Sequence, residues 1–301
     1  MGSALAAVFS PARRVFAEVD DALSQNLSRL MFEGPEGELT LTENAQPALM
    51  ATSLAVIRVL EAEGGLNLAQ DVAFVAGHSL GEYSALAAAR ALSVSDTARL
   101  LKRRGQAMQQ AVPIGVGAMA ALLGLDIEQA AAVASEAARR QAGPDEICAV
   151  ANDNAPAQAV VSGHRAAVER AVMIARTHGA RAIALPVSAP FHSPLMAPAA
   201  EVMKKALNRV TLCPPVVPLV TNVSATATSD PARIGRRLVE QVTAMVRWRE
   251  SVLFLKSAGV GVVVEIGAGR VLTGLVKRID PEISALSVGV PAEIEALMKE
   301  P

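Results

Sequence analysis

Gly77-His78-Ser79-Leu80-Gly81 fits G-x-S-x-G, a spacing that can present a nucleophilic serine on a sharp strand-to-helix turn. The apolar run 72–76 before it has the length of a buried strand, and 84–89 after it has the composition of a helix start. Ser79 is then expected at the apex in a strained conformation. Glycine is expected at both 77 and 81 because side chains there would collide. The following helix directs its free N–H groups at the serine, where they can stabilise a developing oxyanion. A nucleophilic serine also needs a base, and the chain has four histidines. His78 precedes the nucleophile and should point away from it. His164 and His178 fall at the two ends of one helix, where capping suits them. His192 lies between Pro190 and Pro194 in a loop they stiffen, and it is the best candidate base. The competing reading, an ordinary hydrogen-bonded loop histidine, stays open on these residues alone.

A third candidate is an arginine. After Ser93-Val94-Ser95-Asp96, which fits a capping box, Ala98, Leu101, Gly105, Met108 and Val112 form one helical stripe. Arg103 points opposite that stripe, into solvent. Arg104 lies on its flank, at the buried boundary, where a guanidinium needs an anion. A structural ion pair and a clamp for a substrate carboxylate fit it equally. Gly267-Ala268-Gly269 follows 262–266, which reads as a buried strand. It lacks the further glycine and the Lys-Ser/Thr of phosphate loops, so it reads as a tight strand-to-helix turn. Trp248, the one tryptophan, reads as a packing residue.

These groups need elements to position them. Val15, Val19 and Leu23 continue a helix from Pro11 at i+4 spacing, and a second helix is expected over 47–60, ending near Gly64-Gly65. A compact unit follows Gly115-Val116-Gly117. It reads as strand 118–123, helix 126–140, strands 147–151 and 157–161, helix 164–178 and strand 181–187. That βαββαβ order is the ferredoxin-like one. The α/β pattern resumes after Ser188, with strand 216–220 and helix 232–243. The expected architecture is α/β: a large domain of residues 1–114 and 188–301 carries a parallel sheet and the nucleophile elbow. A ferredoxin-like small domain, 115–187, is inserted into it.

Composition sets the outer limits. The chain has 301 residues, of which 51% are hydrophobic and only 3% aromatic, so its core is mostly Ala, Val and Leu. A formal net charge of −1 argues against a nucleic-acid binder relying on bulk positive charge. Cys148 and Cys213 cannot by themselves make a disulfide framework or a four-ligand zinc site, and both read as small buried hydrophobes in a cytoplasmic protein. Residues 3–9 are apolar but lack a basic leader, so no secretory signal reads there. The longest apolar stretch, 48–60, is interrupted by Arg58 and is too short to span a membrane.

In order and spacing the chain resembles the malonyl-CoA:acyl carrier protein transacylase family. The likeness rests on 77–86, on Arg104-Gly105 with Met108, on Gly117-Ala118-Met119, on 186–196 and on Glu265-Ile266-Gly267. Asn44-Ala45-Gln46-Pro47-Ala48-Leu49 also resembles the family stretch that bears a glutamine near the active site. The resemblance implies Ser79 as nucleophile, His192 as base and Arg104 as the group that binds the malonyl carboxylate. It implies Gln46 beside them and the Leu80 N–H as an oxyanion donor. Phe191 is similar to the residue of malonyl-selective members. It further implies that a backbone carbonyl, from the stretch resembling Val246-Arg247-Trp248, orients the histidine. The implied reaction is ping-pong: malonyl-CoA loads the serine and the phosphopantetheine thiol of acyl carrier protein removes the malonyl group. No metal or redox cofactor, nucleic acid or membrane is implied.

One departure stands against the pattern. Family members begin with a strand and a Pro-Gly-Gln-Gly-Ser-Gln stretch that supplies a second oxyanion donor, and this chain has neither. It is therefore expected to be an N-terminally shortened form that lacks its first strand. Two alternatives follow: a serine (thio)esterase-type hydrolase with the same dyad, and a catalytically impaired subunit that binds the carrier protein. Against the hydrolase, the usual α/β-hydrolase order places an acid after the serine and a near-terminal histidine last. Here His192 is the last histidine.

Overall fold

In a computed structural model, all residues except 140–143, 145, 188, 300 and 301 are described. The main core is built around one long helix, α2 (Thr42–Glu63), against which α1 (Ser10–Leu23), α3 (Gly81–Ala88) and α4 (Val94–Gln110) pack. Small residues let them approach: Ala48, Ala51 and Ala55 of α2 are fully buried beside Met50 and Leu54. The helix starts five residues before Pro47, where the sequence placed its beginning. The Leu41 carbonyl already accepts the N–H groups of Asn44 and Ala45, both at 2.8 Å, so Pro47 withholds only its own bond from a running helix. Gln46 thus lies inside α2. At the head of α4, Ser93 Oγ accepts the Asp96 N–H at 3.0 Å, but the Asp96 carboxylate takes the Ser93 hydroxyl instead of its N–H. The cap is one-sided.

The strands are β1 (Val75–Ala76), β2 (Gly117–Leu123), β3 (Cys148–Ala155), β4 (Gln158–His164), β5 (Arg181–Ala184), β6 (Leu219–Val220), β7 (Ala227–Thr228), β8 (Val246–Arg247), β9 (Val262–Ile266) and β10 (Ser284–Val288). They form mixed sheets, so the class is α/β, but the single parallel sheet expected of the larger part is in two pieces. β1 runs parallel to β6, which pairs antiparallel with β7, and β9 pairs parallel with β10 apart from them. β9 is not the buried strand read from its composition. Val262 is 58% and Val264 37% exposed, alternate positions that share one face of the strand, and among the described residues β9 is paired along one edge only.

The middle unit forms a sheet in the order β5-β2-β4-β3, with every neighbour antiparallel. Helices α5 (Ile127–Ala138) and α6 (Arg165–Thr177) join Ala120, Leu122 and Val161 in an alanine-rich core. Met119, Ala151 and Val160 alternate with these residues and meet Phe191, next to His192, from the opposite face. A fifth strand comes from outside the unit: β8 pairs parallel with β3, so this sheet ties the two parts of the chain together. The expected strand 181–187 stops at Ala184, after which Leu185 still donates to the Met119 carbonyl at 3.0 Å. Arg140, expected to end a helix, and Ser188, expected to mark a boundary, lie outside the described residues.

The cysteines part company. Cys148 is buried, and burial pushes its thiol up to about 12, whereas Cys213 is exposed, contrary to expectation. Its segment crosses the surface with the backbone held to the Ala91 carbonyl at 2.9 Å, which leaves the side chain outside.

Candidate active site

Ser79 follows β1 and precedes α3, with φ 53°, a left-handed conformation costly for a residue with a side chain. Gly77 makes this turn possible, since a Cβ there would stand 2.0 Å from the Gly81 carbonyl carbon. Gly81, expected to be needed for the same reason, has open space around its own Cβ position. The turn is fastened by Asn222, just after β6. Its Oδ1 accepts the Ser79 N–H and its Nδ2 donates to the Gly77 carbonyl, both at 2.7 Å.

His192 also has a positive φ, 56°. Its loop is stapled by Ser193 Oγ, which donates to the Pro190 carbonyl at 2.7 Å. The Pro190 ring rests on β2 where Gly117 lacks a side chain; a Cβ there would be 2.3 Å from Pro190 Cδ. Glycine at 117 thus helps to set the position of His192. The fold brings the two candidate side chains together: Ser79 Oγ lies 2.8 Å from His192 Nε2. The other ring nitrogen, Nδ1, is 2.8 Å from the main-chain carbonyl of Gln241, at the end of α7 (Pro231–Gln241). The orienting group is a backbone carbonyl, but it comes from Gln241 and not from 246–248. Helix ends leave carbonyls without partners inside the helix, which makes this one available. With Nδ1–H donated to Gln241, Nε2 carries the lone pair that faces the serine hydroxyl. Burial, then the nearby Arg104 charge, holds His192 down at about 3, so the ring is neutral near pH 7.

Arg104 is 1% exposed, while Arg103 faces solvent. Among the described residues the guanidinium meets no carboxylate directly. Its NH1 donates to Gln46 Oε1 at 2.8 Å, and its NH2 donates to Gln241 Oε1 at 2.9 Å and Ser79 Oγ at 3.1 Å. Among the described residues the Nε has no hydrogen-bond partner, and the Tyr83 ring lies 5.8 Å from Cζ. Gln46 is held in turn by donating to Thr42 Oγ1 at 3.0 Å. Helices α2 and α4 can come this close because Gly105 has no side chain; a Cβ there would lie 2.5 Å from Glu43 Cα. A buried cation set beside a nucleophile, served only by neutral oxygens, is suited to an incoming anion.

The site therefore gathers Ser79, His192, Arg104 and Gln46, with Leu80 at the head of α3 and Phe191 against the wall behind the histidine. His78 points away, as expected: its Nε2 is 2.8 Å from Asn154 Oδ1, and its ring packs near Trp248. Trp248 is buried in a core. His164 does not cap its helix; its Nδ1 accepts the Ile147 N–H at 2.8 Å. The turn at Gly267-Ala268-Gly269 offers no phosphate site, because Glu265 already accepts the N–H groups of Leu272 and Thr273 at 3.0 and 2.7 Å. Sequence reasoning missed Asn222, Gln241 and Glu82. Glu82 carried the one available signal, a carboxylate in the first turn after the serine, and that position equally suits the helix dipole.

Known proteins resemble this chain over nearly its whole length. Residues 1–285 match the model of the acyl transferase domain. The chain is 44% identical over 296 residues to a malonyl CoA-acyl carrier protein transacylase of Bacillus subtilis, covering 98% of this chain and 90% of that protein. It is 40% identical over 296 residues to the Escherichia coli K12 protein of the same name, covering 98% and 93%. Among solved structures, the acyl-carrier-protein S-malonyltransferase of Bartonella henselae superposes with a TM-score of 0.95 at 55% identity, covering 99% of this chain and 94% of that one. A malonyl-transacylase in complex with its type II polyketide acyl-carrier protein superposes with a TM-score of 0.94 at 40% identity, covering 99% and 94%.

Proposed function

This chain belongs to the acyl transferase domain family, and on that premise we propose that it moves a malonyl group from malonyl-CoA to the phosphopantetheine thiol of acyl carrier protein. The observation that carries the reading is the convergence on one oxygen: Ser79 Oγ is 2.8 Å from His192 Nε2 and 3.1 Å from Arg104 NH2. His192 takes the Ser79 proton as the hydroxyl attacks the thioester carbonyl. The oxyanion forms opposite the Leu80 N–H at the start of α3. As the tetrahedral species collapses, the C–S bond breaks, the imidazolium returns its proton to the coenzyme A sulfur, and a malonyl ester remains on Ser79. The carrier thiol then attacks that ester, His192 takes the thiol proton, and the proton passes to Ser79 Oγ when the ester bond breaks.

Arg104 and the free malonyl carboxylate make a charge-assisted pair that both selects the acyl group and orients it. Gln46 keeps the guanidinium in place, and Phe191 lines the acyl side as in malonyl-selective relatives. The reaction asks for no metal or redox cofactor, since nucleophile, base and carboxylate clamp are all side chains. A cytoplasmic setting belongs to this reading, where thiols stay reduced.

The finer fold reading serves the same chemistry. Positive φ at Ser79 between β1 and α3 supports a nucleophile elbow. The order β5-β2-β4-β3 supports a ferredoxin-like small domain over 115–187, inserted between 1–114 and 188–301. The hydrolase and impaired-subunit alternatives are set aside. The relatives are named as transacylases, and the dyad and the carboxylate clamp stand together.

The test is mass spectrometry of the protein after mixing with malonyl-CoA. One malonyl group should appear on the peptide bearing Ser79, be absent from Ser79→Ala, and leave on addition of holo acyl carrier protein. An adduct on another residue, or release to water as fast as to the carrier thiol, would overturn the reading.

A further inference from the structure

Glu82 has no solvent exposure and no assigned part in the reaction, yet it lies one helical turn beyond the nucleophile and joins the same network. Its Oε2 accepts from Gln241 Nε2 at 2.7 Å and from the Asn222 N–H at 3.3 Å, while Oε1 has no partner among the described residues. The Gln241 amide spans the gap to Arg104, accepting from NH2 at 2.9 Å. These two ends fix the amide's orientation, because a guanidinium can only donate and the acid at the other end accepts through Oε2.

Gln241 Nε2 has two hydrogens and three acceptors near it: Glu82 Oε2 at 2.7 Å, the Ser79 carbonyl at 2.9 Å and Asn222 Oδ1 at 3.3 Å. The Ser79 carbonyl already accepts the Glu82 N–H, and Asn222 Oδ1 already accepts the Ser79 N–H at 2.7 Å. Glu82 Oε2 is therefore the shortest anchor, and its other donor, the Asn222 N–H at 3.3 Å, is the most distant of the three competing donors. The arrangement also keeps a carboxyl group from touching Arg104. A direct Glu82–Arg104 pair would satisfy the cation and compete with a substrate carboxylate. An amide placed between them holds the guanidinium in position and leaves its charge available.

We infer that Glu82 is a positioning residue for acyl selection, acting through the Gln241 side chain to hold Arg104 where it meets the substrate carboxylate. The inference rests on the malonyl-transfer reading above and adds to it how the selecting arginine is kept in register. It separates two jobs of Gln241: the backbone carbonyl orients the base, and the side chain orients the clamp.

The experiment measures loading of Ser79 from malonyl-CoA and from acetyl-CoA, which lacks the second carboxylate, in wild type, Glu82→Leu, Glu82→Gln, Gln241→Leu and the Glu82→Leu/Gln241→Leu double variant. Glu82→Leu should lower the malonyl-to-acetyl ratio of kcat/KM by about ten- to a hundredfold, the scale of a small misplacement of a binding group. Glu82→Gln retains an acceptor oxygen for Gln241 and should stay within about threefold of wild type. Gln241→Leu should reproduce the loss, and adding Glu82→Leu to it should change the ratio no further, because the two act in series. Equal losses for both donors, a wild-type ratio in Glu82→Leu, or full additivity in the double variant would each overturn the inference. Should Glu82→Leu fail to fold, Gln241→Leu decides alone: a wild-type ratio there overturns it. Wild type that loads no malonyl overturns the underlying reading, and this inference with it. Wild type that loads malonyl beside variants with an unchanged ratio overturns the inference only.

Discussion

His192 Nδ1 stands 2.8 Å from the main-chain carbonyl of Gln241, so the candidate base is oriented by the peptide backbone and not by an acid. A carboxylate at this position would favour the imidazolium and raise the histidine's pKa. The neutral carbonyl does so far less, and burial followed by the Arg104 charge dominates, lowering His192 to about 3.

The pH dependence follows from that shift. Loading of Ser79 from acetyl-CoA should stay nearly flat from pH 8 to pH 5, because the base is already deprotonated across the window. A loss of rate with a midpoint near 6.5 would show an ordinary histidine and contradict the burial argument. Stability moves as well. Below pH 6.5 the unfolded chain binds a proton at His192 that the folded chain refuses, so this residue makes stability fall as pH drops from 6.5 toward 3.

Glu82 has the opposite sign. Burial pushes its carboxyl up to about 7, against the Gln241 and Asn222 hydrogen bonds and the Arg104 charge. Between pH 4.5 and 7 the folded state holds a proton that the unfolded chain has released. This contribution is complete below 4.5 and is lost as pH rises through 7. Glu82→Gln cannot titrate. The melting temperature of Glu82→Gln minus that of wild type should therefore become more positive from pH 5 to pH 8. A difference that is flat with pH would mean that Glu82 does not change ionisation there.

Arg104→Ala should separate the two acyl donors. Removing the buried guanidinium strands the malonyl carboxylate in a dry site, at a cost of about 2–5 kcal/mol, or roughly thirtyfold to several thousandfold in rate. Acetyl-CoA has no such group, so its loading should hold or rise. Steady-state rates with both donors check this, and equal losses would make Arg104 a purely structural residue.

Gly117→Ala should harm both donors alike. The new methyl would lie 2.3 Å from Pro190 Cδ, and a proline ring cannot swing aside as a flexible side chain can. Such overpacking typically costs about 1–3 kcal/mol of stability. The strain falls on the loop that carries His192, so loading should drop for malonyl and acetyl together with the malonyl-to-acetyl ratio near that of wild type. A variant with wild-type rates would show that Pro190 does not position the base.

The parts of this site that depend on residue type were legible in the chain. A serine between spaced glycines, a histidine between prolines and an arginine at the edge of a helical stripe each have a composition that chemistry or burial restricts. Partners supplied by the backbone were not. The carbonyl at 241 has no sequence signature, so resemblance placed the orienting group a few residues too late, and only the path of α7 brings Gln241 to His192. Asn222 and Glu82 are ordinary polar residues until the fold sets them 3.3 Å apart beneath the serine turn.

The sequence by itself determined the α/β class and the order of elements in the middle unit, and it singled out Ser79, His192 and Arg104 as candidates for the site, because local periodicity and turn chemistry are written residue by residue. Tertiary structure alone decided that Arg104 would be buried with no carboxylate of the described residues touching it. It also decided that Gly117, besides the expected Gly77 and unlike Gly81, would be sterically required near Ser79 and His192, and that β8 would complete a sheet begun at Gly117, far earlier in the chain. Those outcomes depend on which surfaces meet across long sequence separations, and packing at van der Waals distance fixes them only when the whole chain is folded.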